Sequence, residues 1–223
     1  MSKRGQFVVL EGNNGLGKTT QAHLLDQYLT QENIPHRLYC FPRYDSFFGK
    51  LAAAFLHGEH GSVESTSPYF VALTFANDRL LVRDEIRAAL AEGLIVVADR
   101  WVSSNLAVQA SKFANEGERE TFNRWVQELE YDVFQQPQPD LTIYLRARPE
   151  ISIRNLLKRG RADIEESTQM VRASFTQYER LAADLPNWVL LDLEPGAPEG
   201  EILSIAVVHS AIISQLQKAH VFL

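Results

Sequence analysis

The sequence predicts an α/β fold of three layers, with a five-stranded parallel sheet between two layers of helices. Two observations predict it. Short apolar runs at Phe7–Leu10, Arg37–Phe41, Leu94–Ala98, Leu141–Leu145 and Trp188–Leu191 are separated by stretches of helical period. Runs of this kind alternating with helices suggest a parallel sheet covered on both faces. The first run leads into Gly12-Asn-Asn-Gly15-Leu-Gly17-Lys18-Thr19, a match to G-x-x-x-x-G-K-[ST] between a strand and a helix, where that motif has meaning. At 223 residues the chain has enough length for one sizeable core, so a single domain over 1–223 is expected. Right-handed crossovers then put ligands at the carboxyl ends of the strands.

Taken in order, the first element carries the clearest chemistry. Gly12, Asn13, Asn14, Gly15, Leu16, Gly17, Lys18, Thr19 and Thr20 form a loop and helix start whose backbone N–H groups can cradle a triphosphate. Lys18 adds a point charge for the β- and γ-phosphates, and the Thr19 hydroxyl is a ligand for Mg²⁺. The fold class narrows accordingly to a P-loop nucleotide-binding domain. The following helix, Lys18 to about Thr30, presents Ala22, Leu25 and Leu29 to the sheet. After the second run, Phe41-Pro42-Arg43-Tyr44-Asp45 is a turn at a strand's carboxyl end. Arg43 is either a solvated arginine or an anion ligand beside the cradle.

Ser67-Pro68 and Gly93 bracket one long expected helix, from Pro68 to about Glu92. Leu73, Asn77 and Leu80 share a stripe, with Phe75 and Arg79 lying one turn apart on the other side. Phe75 either packs on another helix or stacks on a base whose phosphate meets Arg79. Leu94–Ala98 delivers Asp99-Arg100, a carboxylate placed for Mg²⁺ and a cation suited to an anion. Ser103 or Ser104 can cap the next helix. Asn105 and Gln109 are two amides on one face, fit for a base edge or simply solvated. From Arg146 the chain turns basic, with Arg159 and Arg161 flanking Gly160. That stretch, about 158–166, reads as a solvated face or as a closing lid. A helix from about Glu165 to Ala183 follows, and Pro195-Gly-Ala-Pro198 precedes a last amphipathic helix.

Composition excludes several classes. A formal net charge of −6 argues against binding nucleic acid by phosphate neutralisation. No apolar stretch reaches the roughly 18 residues of a membrane span. The single cysteine, Cys40, permits no internal disulfide and fits a reducing compartment, so a cytoplasmic location is expected. The six histidines show no metal-binding spacing.

Together these residues resemble the thymidylate kinase family along nearly the whole chain. FVVLEGNNGLGKTTQ is similar to that family's opening, FPRY to its Phe-Pro-x-Arg region and TFANDR to its Phe-Ala-x-x-Arg helix. DRWVSSNLAVQ, PDLTIYL and RGRADIEE resemble its Asp-Arg-aromatic motif, its fourth strand and its lid. The resemblance implies transfer of the γ-phosphoryl of ATP to dTMP, giving dTDP and ADP. It places Lys18 and Thr19 on ATP and Mg²⁺, with Asp99 as the second metal ligand. It places Arg43, Arg79 and Arg100 around the acceptor phosphate, Phe75 on thymine, and Ser104 and Gln109 near base and sugar, beside the Asn105 amide already singled out for a base edge. Lys18, Arg100, Arg159 and Arg161 are the implied catalytic set, the last two from the lid. Homodimerisation is implied as well, through the helix at Ser67–Glu92. Asn14 stands where the family has Asp or Glu, and Val108 where tyrosine is common. Trp101 stands for Tyr or His. The first two bear on sugar recognition. Two other readings stay open: a kinase for another nucleotide or for a nucleoside, with Glu11 as base, and a non-catalytic nucleotide-binding regulator.

Overall fold

The computed structural model describes residues 4–59, 66–158 and 168–222. In chain order these give β1 (Phe7–Glu11), α1 (Lys18–Gln31), β2 (His36–Cys40), α2 (Phe47–Leu56), α3 (Pro68–Leu80) and α4 (Arg83–Ala91). There follow β3 (Ile95–Asp99), α5 (Val102–Ser104), α6 (Glu116–Gln127), β4 (Leu141–Arg146), α7 (Pro149–Lys158), α8 (Thr168–Asp184), β5 (Trp188–Asp192) and α9 (Ile205–Lys218). Two π-helical stretches, Asn105–Gln109 and Glu128–Val133, directly follow α5 and α6. The expected lid arginines, Arg159 and Arg161, lie outside the described residues.

The strands form one parallel sheet in the order β2-β3-β1-β4-β5. The connection leaving β1 runs toward β2, whereas that leaving β3 crosses the other way to β4. The crevice of an open α/β sheet lies at such a reversal, outside the carboxyl ends. Register brings the useful ends together, since Asp99 pairs with both Leu10 and Cys40, and Glu11 with Tyr144.

Alternation along the central strands sorts the core into two layers. Val8, Leu10, Val97, Ile143 and Leu145 face Leu25 and Leu29 of α1 and Ile212 and Leu216 of α9. Phe7, Val9, Val96 and Ala98 face Ile86 and Leu90 of α4 and Phe122 and Val126 of α6. Trp101 joins the second layer, edge-on to Phe7 at 5.1 Å and to Phe41 at 5.2 Å. Aromatic pairs of this kind contribute about 0.5–1.5 kcal/mol beyond burial, and here they anchor the turn that follows β3.

One expectation needs correction. The helix expected over Pro68–Glu92 is two helices, broken at Leu81 and Val82. Val82 takes φ −117° and ψ 4° and is buried in the second layer. The two halves have different partners: Ala72 of α3 meets the π-helical Asn105, while Ile86 and Leu90 of α4 pack on the sheet. A straight helix could not satisfy both. Strand β3 also starts and ends one residue later than the apolar run suggested, which brings Asp99 inside the sheet register.

Gly5, just before β1, donates its N–H to Leu90 O at 2.8 Å, and a Cβ there would overlap the Leu94 carbonyl oxygen. Gly5→Ala must therefore push β1 away from the turn leading into β3. We expect a loss of about 1–3 kcal/mol, a drop of several degrees in Tm for a domain of this size. Differential scanning calorimetry reads it directly, and an unchanged Tm would show that this edge yields freely.

Candidate active site

The phosphate loop is built where β1 ends. Gly12, Gly15 and Gly17 have φ of 138°, 78° and 83°, values that L side chains rarely adopt. At Gly12 a Cβ would also overlap the Leu145 carbonyl oxygen of β4. Gly17 caps α1 without a side-chain bond, so the first amides of that helix remain for an anion. Lys18 is buried, and its Nζ donates to Asn13 O at 2.8 Å. The Asn13 side chain ties the loop to α8: its Nδ2 donates to Val171 O at 3.1 Å, and its Oδ1 accepts from Ser174 Oγ at 2.9 Å. Asn155 of α7 braces Gly15 O at 3.0 Å.

Beside the cradle, Thr19 Oγ1 donates to Asp99 Oδ2 at 2.5 Å. Asp99 Oδ1 is buried with no hydrogen-bond partner among the described residues. A hydroxyl and a carboxylate, one of whose oxygens is buried and uncompensated, make a hard-oxygen pair that fits Mg²⁺. Cys40 lies alongside. Burial first, then the charges of Asp99 and Asp26, push its thiol up to about 11, so it stays protonated near neutral pH and is no nucleophile.

The other half of the site grows from Glu11, which is fully buried. Its Oε1 accepts from Trp101 N at 3.0 Å and Ser103 Oγ at 2.8 Å, and its Oε2 from Ser104 Oγ at 2.8 Å and Tyr178 OH at 3.0 Å. Ser103 and Ser104 therefore do not cap the following helix; their hydroxyls are turned to this carboxylate. Arg100 has φ 70°, a backbone state that a non-glycine residue holds only when its surroundings impose it. Arg100 Nη1 donates to Ser104 Oγ at 3.1 Å and Tyr178 OH at 3.3 Å, and its Nη2 to Asn14 Oδ1. Burial and then the Glu11 charge raise the Tyr178 phenol well above its ordinary value, which keeps it a donor.

The remaining two arginines are each held by a carboxylate. Arg43 Nε lies 3.3 Å from Asp78 Oδ1, and Asp78 also accepts from Arg43 N at 2.7 Å and Ser46 Oγ at 2.5 Å. Arg79 forms a two-point pair with Glu130, in which its Nε donates at 2.8 Å to Oε2 and its Nη2 donates to Oε1.

A cleft of about 410 Å³ joins these parts. Asn14, Gly15, Gly17, Lys18, Thr19 and Thr20 line one end. Phe75, Arg79, Asp99, Arg100, Ser104, Asn105 and Gln109 line the rest, with Val108 between them. Of the expected site residues, Gly12, Asn13 and Leu16 form the loop behind this wall. Arg43 is set back on Asp78, while its neighbours Pro42 and Tyr44 line the cleft. A second hollow of about 310 Å³ opens on the other side of the loop, between Gly15, Gly17, Lys158 and the Ile202–Ile205 stretch before α9. Sequence reasoning missed this hollow, and it missed Tyr178, Asp78 and Glu130. The hollow, Asp78 and Glu130 carry no local signal, but Ser174, Gln177 and Tyr178 lie at helical spacing and are all buried, a polar stripe that could have been questioned.

A glycine loop ahead of α1, a Lys–Thr–Asp set and facing arginines in one cleft define a P-loop phosphotransferase. Comparison with known proteins narrows the class. The thymidylate kinase family model matches residues 10–199, and the chain belongs to that family. A thymidylate kinase from Cutibacterium acnes is 43% identical over 109 residues, 48% of this chain and 52% of that protein. A probable thymidylate kinase from Pyrococcus horikoshii is 31% identical over 214 residues, 95% of each chain. The solved thymidylate kinase of Candida albicans has the same fold, with a TM-score of 0.75 at 21% identity, covering 99% of this chain and 95% of that one.

Tyr178→Phe removes one of four donors to a buried carboxylate and one of the oxygens that receive Arg100. We expect a loss of about 1–3 kcal/mol of stability, the cost of leaving a buried acceptor short of a partner. Urea unfolding measures it; a midpoint equal to the wild type would mean that water replaces the phenol without loss.

Proposed function

We propose that the protein transfers the γ-phosphoryl group of ATP to dTMP, giving dTDP and ADP. The observation that supports this most is the single cleft, in which the phosphate cradle at Lys18 and Thr19 faces Arg100, Phe75 and Asn105. The donor triphosphate lies in the cradle with Lys18 on its β- and γ-phosphates, and the second hollow takes the donor's base and sugar. Thr19 and Asp99 hold Mg²⁺, which when bound neutralises charge on the donor phosphates. Phe75 stacks on the acceptor base, Asn105 and Gln109 meet its edge, Ser104 lies near the sugar, and Arg100 with Arg43 and Arg79 supports the acceptor side.

The chemical problem is to bring two anions together. Phosphoryl transfer through a loose transition state asks for alignment and for positive charge at the equatorial oxygens, with no covalent intermediate. Lys18 and Arg100 lower the repulsion between donor and acceptor, and fixed donors in a cleft shielded from water do so without reorganising. The resemblance assigns Arg159 and Arg161 to the departing phosphoryl group. Transfer to a nucleoside would need a base to take a hydroxyl proton. Glu11, the candidate for that role, already accepts four donors beneath the cleft, and an acceptor that already carries a phosphate needs no such base.

A second reading keeps the chemistry and changes the acceptor. Val108 lines the cleft without a hydroxyl, and the Asn14 amide, not a carboxylate, meets Arg100; both bear on sugar recognition, so another nucleoside monophosphate remains the competing acceptor. We further propose a homodimer formed through the outer side of α3 and the break that follows it, where Phe70 and Leu81 are about half exposed, and a cytoplasmic location. No described helix is long and apolar enough to cross a membrane.

An ADP-release assay with ATP and Mg²⁺ should show strong preference for dTMP over dUMP, UMP, thymidine and no acceptor. Preference for UMP would move the reading to the second acceptor class, and binding without turnover on any acceptor would make the protein a regulator. Lys18→Ala or Arg100→Ala should cost roughly 10²–10⁴ in turnover, one electrostatic contact to the transition state being worth about 3–5 kcal/mol. Arg100→Lys should also be costly, because a planar fork becomes a point charge. A loss below about threefold for Arg100→Ala would remove it from the mechanism.

A further inference from the structure

Arg79 and Glu130 are buried to 2% and 0% exposure, and the carboxylate serves a third donor. Asn105 Nδ2 donates to Glu130 Oε1 at 3.1 Å and to Ala72 O at 3.1 Å. An amide nitrogen has two hydrogens, so both are committed, and the amide's orientation is settled by its partners. The two π-helical stretches meet here, one supplying Asn105 and the other Glu130; such stretches are frequent at functional sites.

Arg79 and Asn105 both line the cleft. With its N–H groups engaged, Asn105 can offer a ligand only the acceptor Oδ1. Arg79 spends Nε and one Nη2 hydrogen on Glu130 and can offer a ligand only its other N–H donors. The pair thus presents a donor and an acceptor: the guanidinium can only donate, and Glu130, which as a carboxylate can only accept, joins Ala72 O in holding the amide so that Oδ1 is what remains.

We propose that Glu130 is a positioning residue that sets base specificity. By polarising Arg79 and Asn105 it selects a pyrimidine whose edge places a carbonyl beside an N–H, a 2,4-dioxo ring. A 4-aminopyrimidine presents the opposite order, donor to donor and acceptor to acceptor, and is rejected because buried polar groups are left unpaired. This rests on the reading that Asn105 and its neighbours meet the acceptor base, and it turns Arg79 from the acceptor phosphate, where the resemblance put it, to the base edge.

The test compares dTMP with 5-methyl-dCMP, which differ only at that edge, by kcat/KM with saturating ATP. Wild-type protein should prefer dTMP. Glu130→Gln lets residue 130 donate to Asn105 Oδ1 and frees the amide to turn. The dTMP to 5-methyl-dCMP ratio should fall by about tenfold or more while the KM for ATP stays within about twofold. Equal losses on both acceptors, with the ratio kept, would overturn the proposal and leave Glu130 a structural residue. If Glu130→Gln does not fold, Glu130→Asp keeps the charge but withdraws the carboxylate by one methylene from Arg79 and Asn105, and carries the same test. A fall of about tenfold supports the proposal and an unchanged ratio overturns it. Wild-type turnover of dTMP without discrimination defeats this inference alone, whereas no turnover of dTMP defeats the functional reading beneath it.

Discussion

The structure depends on one buried carboxylate. Glu11 ends the central strand β1, has no exposure, and receives four hydrogen bonds. A carboxyl group without partners would be very costly there; with four donors it becomes a fastening point. Three donors, one backbone N–H and two hydroxyls, come from the segment after β3, and the fourth is the phenol of α8. The residue after Glu11 is Gly12, where the phosphate loop begins. The turn it holds includes Arg100, whose left-handed backbone, at φ 70°, sends the guanidinium to Asn14, Ser104 and Tyr178. The phosphate loop and the facing arginine are therefore set by the same side chain, which gives them a fixed relation across the cleft.

Electrostatics repeat that arrangement at smaller scale. Arg43 is leashed to Asp78 and Arg79 to Glu130, while Arg100 reaches Glu11 through Ser104 and Tyr178. Burying such pairs adds little net stability, because desolvation offsets attraction. Their value is geometric. A guanidinium is a planar fork whose direction matters for phosphate and for a base edge, and a carboxylate behind it removes rotational freedom before any ligand arrives.

How much of this was legible beforehand follows from which interactions are local. The strands were legible because β1, β3 and β4 each carry a buried apolar run, and the phosphate loop because its glycines and Lys18 are fixed at short spacing. Asp99 and Arg100 were legible as a pair after an apolar strand. The break between α3 and α4 was not, since Ser67-Pro68 and Gly93 are correct punctuation and the reason for the turn at Val82 lies in two separate packing partners. Ser103 and Ser104 looked like caps because serine before a helix usually is one; their true acceptor is 92 and 93 positions away. Asp78 and Glu130 read as ordinary helical charges, for a sequence does not show which arginine a carboxylate will meet.

Helix α8 shows why such misreadings concentrate at a site. Beside Val171 its inner face carries Ser174, Gln177 and Tyr178, all buried, where pattern rules expect apolar side chains. Ser174 Oγ and the Val171 carbonyl instead hold Asn13, and the Tyr178 phenol holds Glu11. Asn13 and Glu11 are two positions apart at the end of β1, so the spacing of polar groups on α8 matches that of the strand and loop it clasps. A helix whose inner face were wholly apolar would pack on the sheet but could not orient the loop. The polar stripe gives up some apolar burial and in return fixes the Asn13 carbonyl that receives Lys18. Departure from the hydrophobic pattern on a buried face is thus the trace that function leaves in the sequence, and in this chain it marks the helix that fastens both halves of the cleft.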